Sequence, residues 1–397
     1  MFRVISTMNV DIKIVSDSQT RKDFLELPVK LYKDFPKWVR PLNNDIEDIF
    51  EPTKNKHFRH GEAIRWIIYN DKIPVGRIAA FIDYDVSKTA EQPTGGIGFF
   101  ECVNDKEIAH QLFNTAKHWL KERSMEAMDG PINFGDRDRW WGLHIDGDFE
   151  PNYCMDYHLP YYKELFEDYG FRVYFNQYTY HRQVNSSNVN PLIWEKAQRI
   201  SQNPSYSIKT ISKWKLNKFA NDFRTIYNNA WGRYTGVKKM SNTHAKALMK
   251  TIKPIIDPEL MYFAYYESEP IGFFIMVPDL NQIVKHLDGK FDFWSKLKFL
   301  YLLKVKKICT KAVGLIFGIV PQHQGKGVEG ALVNEFAKRA LKPTFRYKEL
   351  ELNWIGDFNP TMRKVAEQIG ATVRKTHITY RYMFDRSKEV TPPRRVS

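Results

Sequence analysis

Cysteine is scarce in this chain, with Cys102, Cys154 and Cys309 the only three among 397 residues. No two stand at C-x-x-C spacing and the count is odd, which excludes an even disulfide framework and a thiolate metal site. A reducing cytoplasm and no metal are therefore expected. Long apolar runs are missing too. None reaches membrane-spanning length, and Met1-Phe2-Arg3-Val4 lacks the apolar core of a signal peptide. Acidic residues are few relative to basic ones, 46 against 60, leaving a formal charge of +14. Such an excess suits an anionic partner: nucleic acid, an anionic membrane surface or an anionic small molecule. Nucleic acid is disfavoured, because no recognition-helix motif and no RNA-binding aromatic signature occurs. Catalytic histidine constellations are absent as well, since His144 and His158 match no Ser or Cys nucleophile.

What is present is a soluble globular composition, 43% hydrophobic and 27% charged, with a high aromatic share of 15%. The length exceeds one ordinary core, so two domains of about 200 residues are expected. The most informative stretch is Gln322-His323-Gln324-Gly325-Lys326-Gly327. An apolar, β-prone run from Val313 to Val320 precedes it. Val328, Ala331, Leu332, Phe336, Ala337 and Ala340 follow at helical spacing. Glycines between a strand and a helix let backbone N–H groups approach an anion at the positive end of a helix dipole, and Lys326 adds charge. Pro321 stops the strand. A P-loop ATPase is disfavoured, because Gly327 stands where the magnesium-binding hydroxyl should follow Lys326. Downstream come a second strand, Leu350 to Trp354, and a helix opened by Asn359-Pro360 and closed at Ile369-Gly370.

These pieces resemble the GNAT acyltransferase superfamily, whose signature Q/R-x-x-G-x-G/A is matched by Gln322, Gly325 and Gly327. The resemblance implies an α+β fold class: two tandem GNAT-like folds, each a mixed, mostly antiparallel sheet flanked by helices. It implies that the pyrophosphate of acyl-CoA or acetyl-CoA rests on backbone N–H groups from Gln324 through Gly325, Lys326 and Gly327 to Val328. The pantetheine arm would pair along Ile319 and Val320, with Asn359 bordering the thiol. One departure stands out. Many GNATs carry a tyrosine acid four residues before the closing glycine, where this chain has Ala366.

The chain also repeats itself. Pro74-Val75-Gly76 and Pro270-Ile271-Gly272 each lead through six residues to an aspartate, Asp83 and Asp279. Each reads as a hairpin with a Pro-Gly return. Gly170, Val173 and Thr179-Tyr180 recur in the same register as Gly370, Val373 and Thr379-Tyr380. In place of the pyrophosphate loop, the first copy has Phe99 to Glu107, whose acidic residues suit a helix cap and repel phosphate. Only the second copy should bind coenzyme A. The expected division is an N-terminal GNAT-like domain over 1–185, a polar linker over 186–205, a coenzyme-binding domain over 206–385 and a disordered basic tail over 386–397.

Leu27-Pro28, Leu31-Tyr32-Lys33, Trp38-Val39-Arg40-Pro41-Leu42, Gly76-Arg77-Ile78-Ala79-Ala80, Gly130-Pro131-Ile132-Asn133-Phe134 and Tyr161-Tyr162-Lys163 extend the resemblance over nearly the whole chain. It is to the bacterial ceramide-synthase-like group, which implies acyl-CoA-dependent N-acylation of a sphingoid amine.

For the base that takes the ammonium proton, Glu351 leads and Asp279 is second. A solvated strand face and a turn cap remain open for them. Asp136-Arg137-Asp138-Arg139-Trp140-Trp141-Gly142 reads either as an acceptor-pocket wall or as a salt-bridged loop. Phe291 to Lys307 interleaves aromatics with lysines. It fits either peripheral contact with an anionic membrane from the cytoplasmic side or a helix packed on the fold with snorkelling lysines. Three other functions stay open: a small-amine N-acetyltransferase, a nucleic-acid-binding or regulatory protein retaining a vestigial fold, and peptidoglycan or aminoacyl transfer by a tandem GNAT fold.

Overall fold

The computed structural model describes residues 10–87, 92–184, 191–232 and 239–393. The first half runs β1 (Val10–Ile14), α1 (Ser18–Leu31), α2 (Asn43–Ile49), β2 (Gly61–Asn70), β3 (Ile73–Asp83) and a single turn, α3 (Tyr84–Ser87). It continues through β4 (Thr94–Cys102), α4 (Lys106–Lys121), β5 (Ala127–Gly130), β6 (Leu143–Asp146), α5 (Tyr162–Tyr169) and β7 (Arg172–Gln183). After α6 (Pro191–Gln202), the second half opens with β8 (Tyr206–Thr210), α7 (Leu216–Trp231), α8 (Asn242–Ile252), β9 (Met261–Tyr266) and β10 (Glu269–Pro278). Two short helices follow, α9 (Asn281–Val284) and α10 (Phe293–Leu300). It closes with β11 (Lys311–Ile319), α11 (Val328–Ala340), β12 (Glu349–Gly356), α12 (Pro360–Gln368) and β13 (Thr372–Met383). Strand, two helices, three-strand meander, helix, strand, helix, strand: this order underlies both halves, with α3 and β6 added in the first and α9 and α10 in the second.

Local chemistry explains the repeat. Helix α4 buries Ile108, Leu112, Phe113, Ala116 and Leu120 on one face, and its N-cap Asp105 accepts from the N–H groups of Glu107 and Ile108. Helix α11 packs through Val328, Ala331, Leu332 and Phe336, with Gly330 buried on its first turn. Each Val, Leu, Ile or Phe among them contributes about 1.5–3 kcal/mol when fully buried. The two hairpins do not return at their Pro-Gly pairs as expected. Asp71 and Lys72 make the first turn and Glu267 and Ser268 the second, all four at positive φ. Two-residue turns of that hand match strand twist, so the prolines fall inside the strands beside bulges instead.

All strands join one sheet in the order β1-β2-β3-β4-β5-β13-β7-β12-β11-β10-β9-β8, with β6 also on β13. The order reads alike from both ends because the halves exchange their last strands. β13 lies beside β5 of the first half, and β7 lies beside β12 of the second. The repeated residues then face each other across the exchange: Val173 pairs with Tyr380, and Val373 with Tyr180. Gly170 (φ 105°) and Gly370 (φ 78°) end the helices that lead into these strands, in a backbone conformation open to glycine. The first half's core consequently includes Ile378, Tyr380 and Tyr382 from the far end of the chain. Within the tail, Arg386 donates to Gly170 O and Lys388 pairs with Glu126, while 394–397 lie outside the described residues, as do 185–190 of the linker.

Candidate functional site

The loop between β11 and α11 has the form expected of an anion seat. Gly325 takes φ 72° with nothing within 4 Å of a Cβ position, and Gly327 takes φ 101° as the helix N-cap. The first N–H groups of α11 lack intrahelical acceptors by geometry, and they project beside exposed Lys326. Glu329 Oε1 accepts from Gly325 N–H at 3.2 Å. An anionic oxygen thus already sits on this backbone group, a stand-in for a phosphate oxygen. Gln324 Nε2 braces the loop through Ile319 O at 2.9 Å, His323 Nδ1 meets Tyr206 OH, and Gln322 is exposed. In the first half the matching position is occupied by the Asp105 cap.

A gap opens along the strand that leads here. β11 and β12 pair in parallel only from Lys311↔Glu349 to Gly314↔Leu352, then separate. One extra residue, Leu315, bulges where Met276↔Gly314 gives way to Ile275↔Ile316, and it is 46% exposed. By strand alternation the N–H groups of Phe317 and Ile319 face the gap. Val320 differs from expectation: its N–H donates to Ile271 O and its C=O accepts from His323 N–H, so neither is left to pair with a ligand. The Trp231 ring packs close against Gly318, with Tyr227 tilted beside it at 5.3 Å between ring centroids. Across the mouth, Trp354 Nε1 donates to Arg137 O at 3.0 Å. The charged aromatic loop of the first half therefore walls the opening in the second. Lys56 holds Asp136 of that loop at 2.9 Å, with His57 at 3.7 Å. Asn359 Oδ1 accepts from Met362 N–H, capping α12.

Glu351 and Asp279 prove to share one buried network. Lys311 Nζ lies 2.9 Å from Asp279 and 3.6 Å from Glu351; Lys375 Nζ is 2.7 Å and Arg374 Nη1 3.1 Å from Glu351. Burial pushes the Glu351 carboxyl up, but Lys375, Lys311 and Arg374 overcome it and hold it at about 2. A fully buried carboxylate so held is a weak proton acceptor and a strong anchor. For Lys375 the balance is opposite, since burial outweighs its pairing and lowers it.

Tyrosines from the exchanged strand stand where the helix lacks one. Tyr180 packs with buried Ala366, and Tyr178 lies beside them under the Arg363 guanidinium. Tyr180 OH is engaged by Arg363 and Glu367, whereas Tyr178 OH has no hydrogen bond among the described residues. Neither could be placed from sequence, because nothing local announces an exchanged strand. Sequence reasoning also missed a cluster in the first half. Glu101 accepts from Tyr32 OH and Tyr162 OH at 2.8 and 2.7 Å and faces Arg77 at 3.5 Å. It borders a narrow cleft that Asp156 and His158 also line. Leu31-Tyr32-Lys33, Gly76-Arg77-Ile78 and Tyr161-Tyr162-Lys163 each supply one member, which explains why they stood out as motifs. His57, His60 and Asp83 place ligand-type atoms within 4.8 Å, and hydrogen bonds of 3.1 and 2.9 Å to Asp83 account for that arrangement.

No protein-family model matches the chain. Along 94% of its length it is 26% identical to the bacterial ceramide synthase of Caulobacter vibrioides (strain NA1000 / CB15N), of which 97% is covered. It is also 26% identical to the protein YghO of Escherichia coli (strain K12), over 90% of this chain and 92% of that one. Among solved structures, a tandem GNAT protein from the clavulanic acid biosynthesis pathway superposes with a TM-score of 0.56 at 9% identity, covering 96% of this chain and 100% of that one. A GCN5-related glucosamine N-acetyltransferase region of a fungal multi-domain enzyme gives 0.57 at 11% identity. That match covers 95% of this chain, which spans only 38% of the fungal one. With its twice-repeated element order and its loop at α11, the chain is a tandem GNAT-fold protein that resembles bacterial ceramide synthase along nearly its whole length.

Proposed function

We propose that the second half binds acyl-CoA and passes the acyl group to an amine nitrogen, with a long-chain amine at a membrane face as the preferred acceptor. The observation that carries this is the anion seat at α11, continuous with the bulged, unpaired edge of β11. The pyrophosphate would displace the Glu329 carboxylate and rest on the N–H groups between Gly325 and Val328, with Lys326 beside them. Bound there, the thioester supplies the activated acyl group. Phe317 and Ile319 N–H orient its arm and polarise the carbonyl oxygen. The acceptor enters between β11 and β12 along the Arg137–Trp141 wall and attacks as the free amine. Tyr178 OH, without a hydrogen bond among the described residues and beside Ala366, gives its proton to the departing sulfur and recovers one from the nitrogen that has attacked. Glu351 and Asp279 serve here to hold the strands in register.

The repeated element order supports a division at 186–205, with 1–185 and 206–385 as the two copies and 386–397 as a basic tail. The similarity to ceramide synthase supports a lipid amine. So do the exposed Phe293, Trp294 and Leu297 of α10, interleaved with Lys296 and Lys298. No helix among the described residues is long and apolar enough to cross a membrane. The contact proposed here is peripheral, on the cytoplasmic face.

Calorimetric titration with coenzyme A, acetyl-CoA and palmitoyl-CoA tests this. Micromolar binding, tightest for the long chain, is expected. Preference for acetyl-CoA would redirect the proposal to small amines, and no binding to any of the three would remove it.

A further inference from the structure

A second concave site shares no residue with the anion seat. An open concavity of about 440 Å³ is lined by Lys213, the Ile255–Glu259 turn, Leu303, Lys304, Lys307, Thr344 and Arg346. That size falls within the range of small-molecule pockets, about 300–1,000 Å³. Its acids are already committed: Asp257 pairs with Arg346 at 2.8 Å, and Glu259 lies 3.9 Å from Arg339. Lys213, Lys304 and Lys307 have no carboxylate within ion-pair distance among the described residues. Burial first, then the facing ammonium of Lys213, lower the Lys304 pKa, against a partial opposing pull from Asp257. Like charges turned toward one concavity repel unless an anion stands between them.

The same segments carry exposed aromatic and aliphatic side chains. Trp214, next to Lys213, is 96% exposed. α10, with Phe293 at 66% and Trp294 at 75%, runs directly into the π-helical turn Tyr301–Val305 that supplies Leu303 and Lys304. Tryptophans and lysines presented together are the composition of a membrane-interface anchor. Large aromatic side chains left exposed on segments that also line the concavity suit an interaction surface.

We infer that this cavity receives the phosphate of an anionic lipid headgroup while Trp214, Phe293 and Trp294 enter the interface around it. The inference rests on the membrane-face reading above and adds the chemistry that is recognised there. A phosphate oxygen offers each ammonium the acceptor that the protein does not.

The test is sedimentation with phosphatidylcholine vesicles and with mixed phosphatidylcholine/phosphatidylglycerol vesicles. The wild type should partition onto the mixed vesicles. The triple variant Lys213→Ser, Lys304→Ser, Lys307→Ser should lose about five-fold per lysine, about a hundred-fold in all. A control removing three exposed lysines of the first half, Lys22→Ser, Lys33→Ser and Lys72→Ser, should lose far less. Equal losses in the two triple variants would mean that net charge alone is read, and would overturn the pocket. Wild-type protein that ignores both vesicle types but binds soluble glycerol phosphate would overturn the lipid source. Failure to bind either would sink the membrane reading itself, and coenzyme A titration of the same sample would show separately whether the acyl-transfer reading stands.

Discussion

At the residue scale, Gly325 separates binding from folding. A Cβ there meets nothing, so Gly325→Glu should keep the fold, at about 1 kcal/mol of positive-φ strain, while placing a carboxylate in the anion seat. Coenzyme A affinity should fall more than about 100-fold by calorimetry, and unchanged affinity would refute the seat. Tyr178→Phe should slow acyl transfer about 10²-fold or more with coenzyme A binding retained; a wild-type rate would remove it as the acid. Glu351→Gln should act on stability instead, costing about 3–5 kcal/mol because Lys375 is left buried without its carboxylate, while Lys311 keeps Asp279. Glu351's folded pKa lies below its ordinary 4.5, so its contribution is full above that value and lost as pH falls toward about 2. Chemical denaturation across that window should show a slope that Glu351→Gln flattens.

At the same scale, His57 works with the opposite sign. Asp136 and then Asp83 hold it protonated up to about 9, against 6.5 unfolded. Its stabilisation of the mouth loop is therefore complete below pH 6.5 and lost as pH rises through about 9. Hydrogen exchange at Arg137–Trp141 should accelerate across that range beyond its intrinsic pH dependence, and His57→Gln should abolish the excess. An identical profile in the variant would rule out the coupling.

At the scale of elements, the legible parts were those whose signals are local. The β11–α11–β12–α12 series followed from glycine spacing, helical periodicity and the Asn359 cap, because caps and turns are decided by neighbours. The hairpins were found, but their returns were misplaced: Asp-Lys and Glu-Ser give weak turn signals, whereas proline inside a strand mimics one. Glu351 was correctly set on a strand facing opposite to Leu350 and Leu352. Its three cationic partners come from β11 and β13. Only pairing across the sheet reveals them. Val320 likewise looked available until Ile271 and His323 took its backbone groups.

At the scale of the molecule, the repeat was visible from residue spacing, and the exchange of last strands was not. Equal copies give the same sequence pattern whether each closes on itself or on its twin. The exchange predicts that a chain ending before Thr372 loses the strand between β5 and β7, and with it Tyr380 and Tyr382 from the first core. Such a chain should lack a cooperative thermal transition, and adding a 371–393 peptide should restore part of it; a well-folded truncated half would contradict this.

That exchange also sets a schedule. A first half emerging from the ribosome cannot seal its own sheet, since the missing strand is encoded about 240 residues after β5. Between its synthesis and the arrival of β13, the edge of β5 is open to any passing strand, and sequence-distant closure of this kind is slow. The price of a seamless molecule is a vulnerable youth, in which demand for chaperones should peak while the second half is still being made.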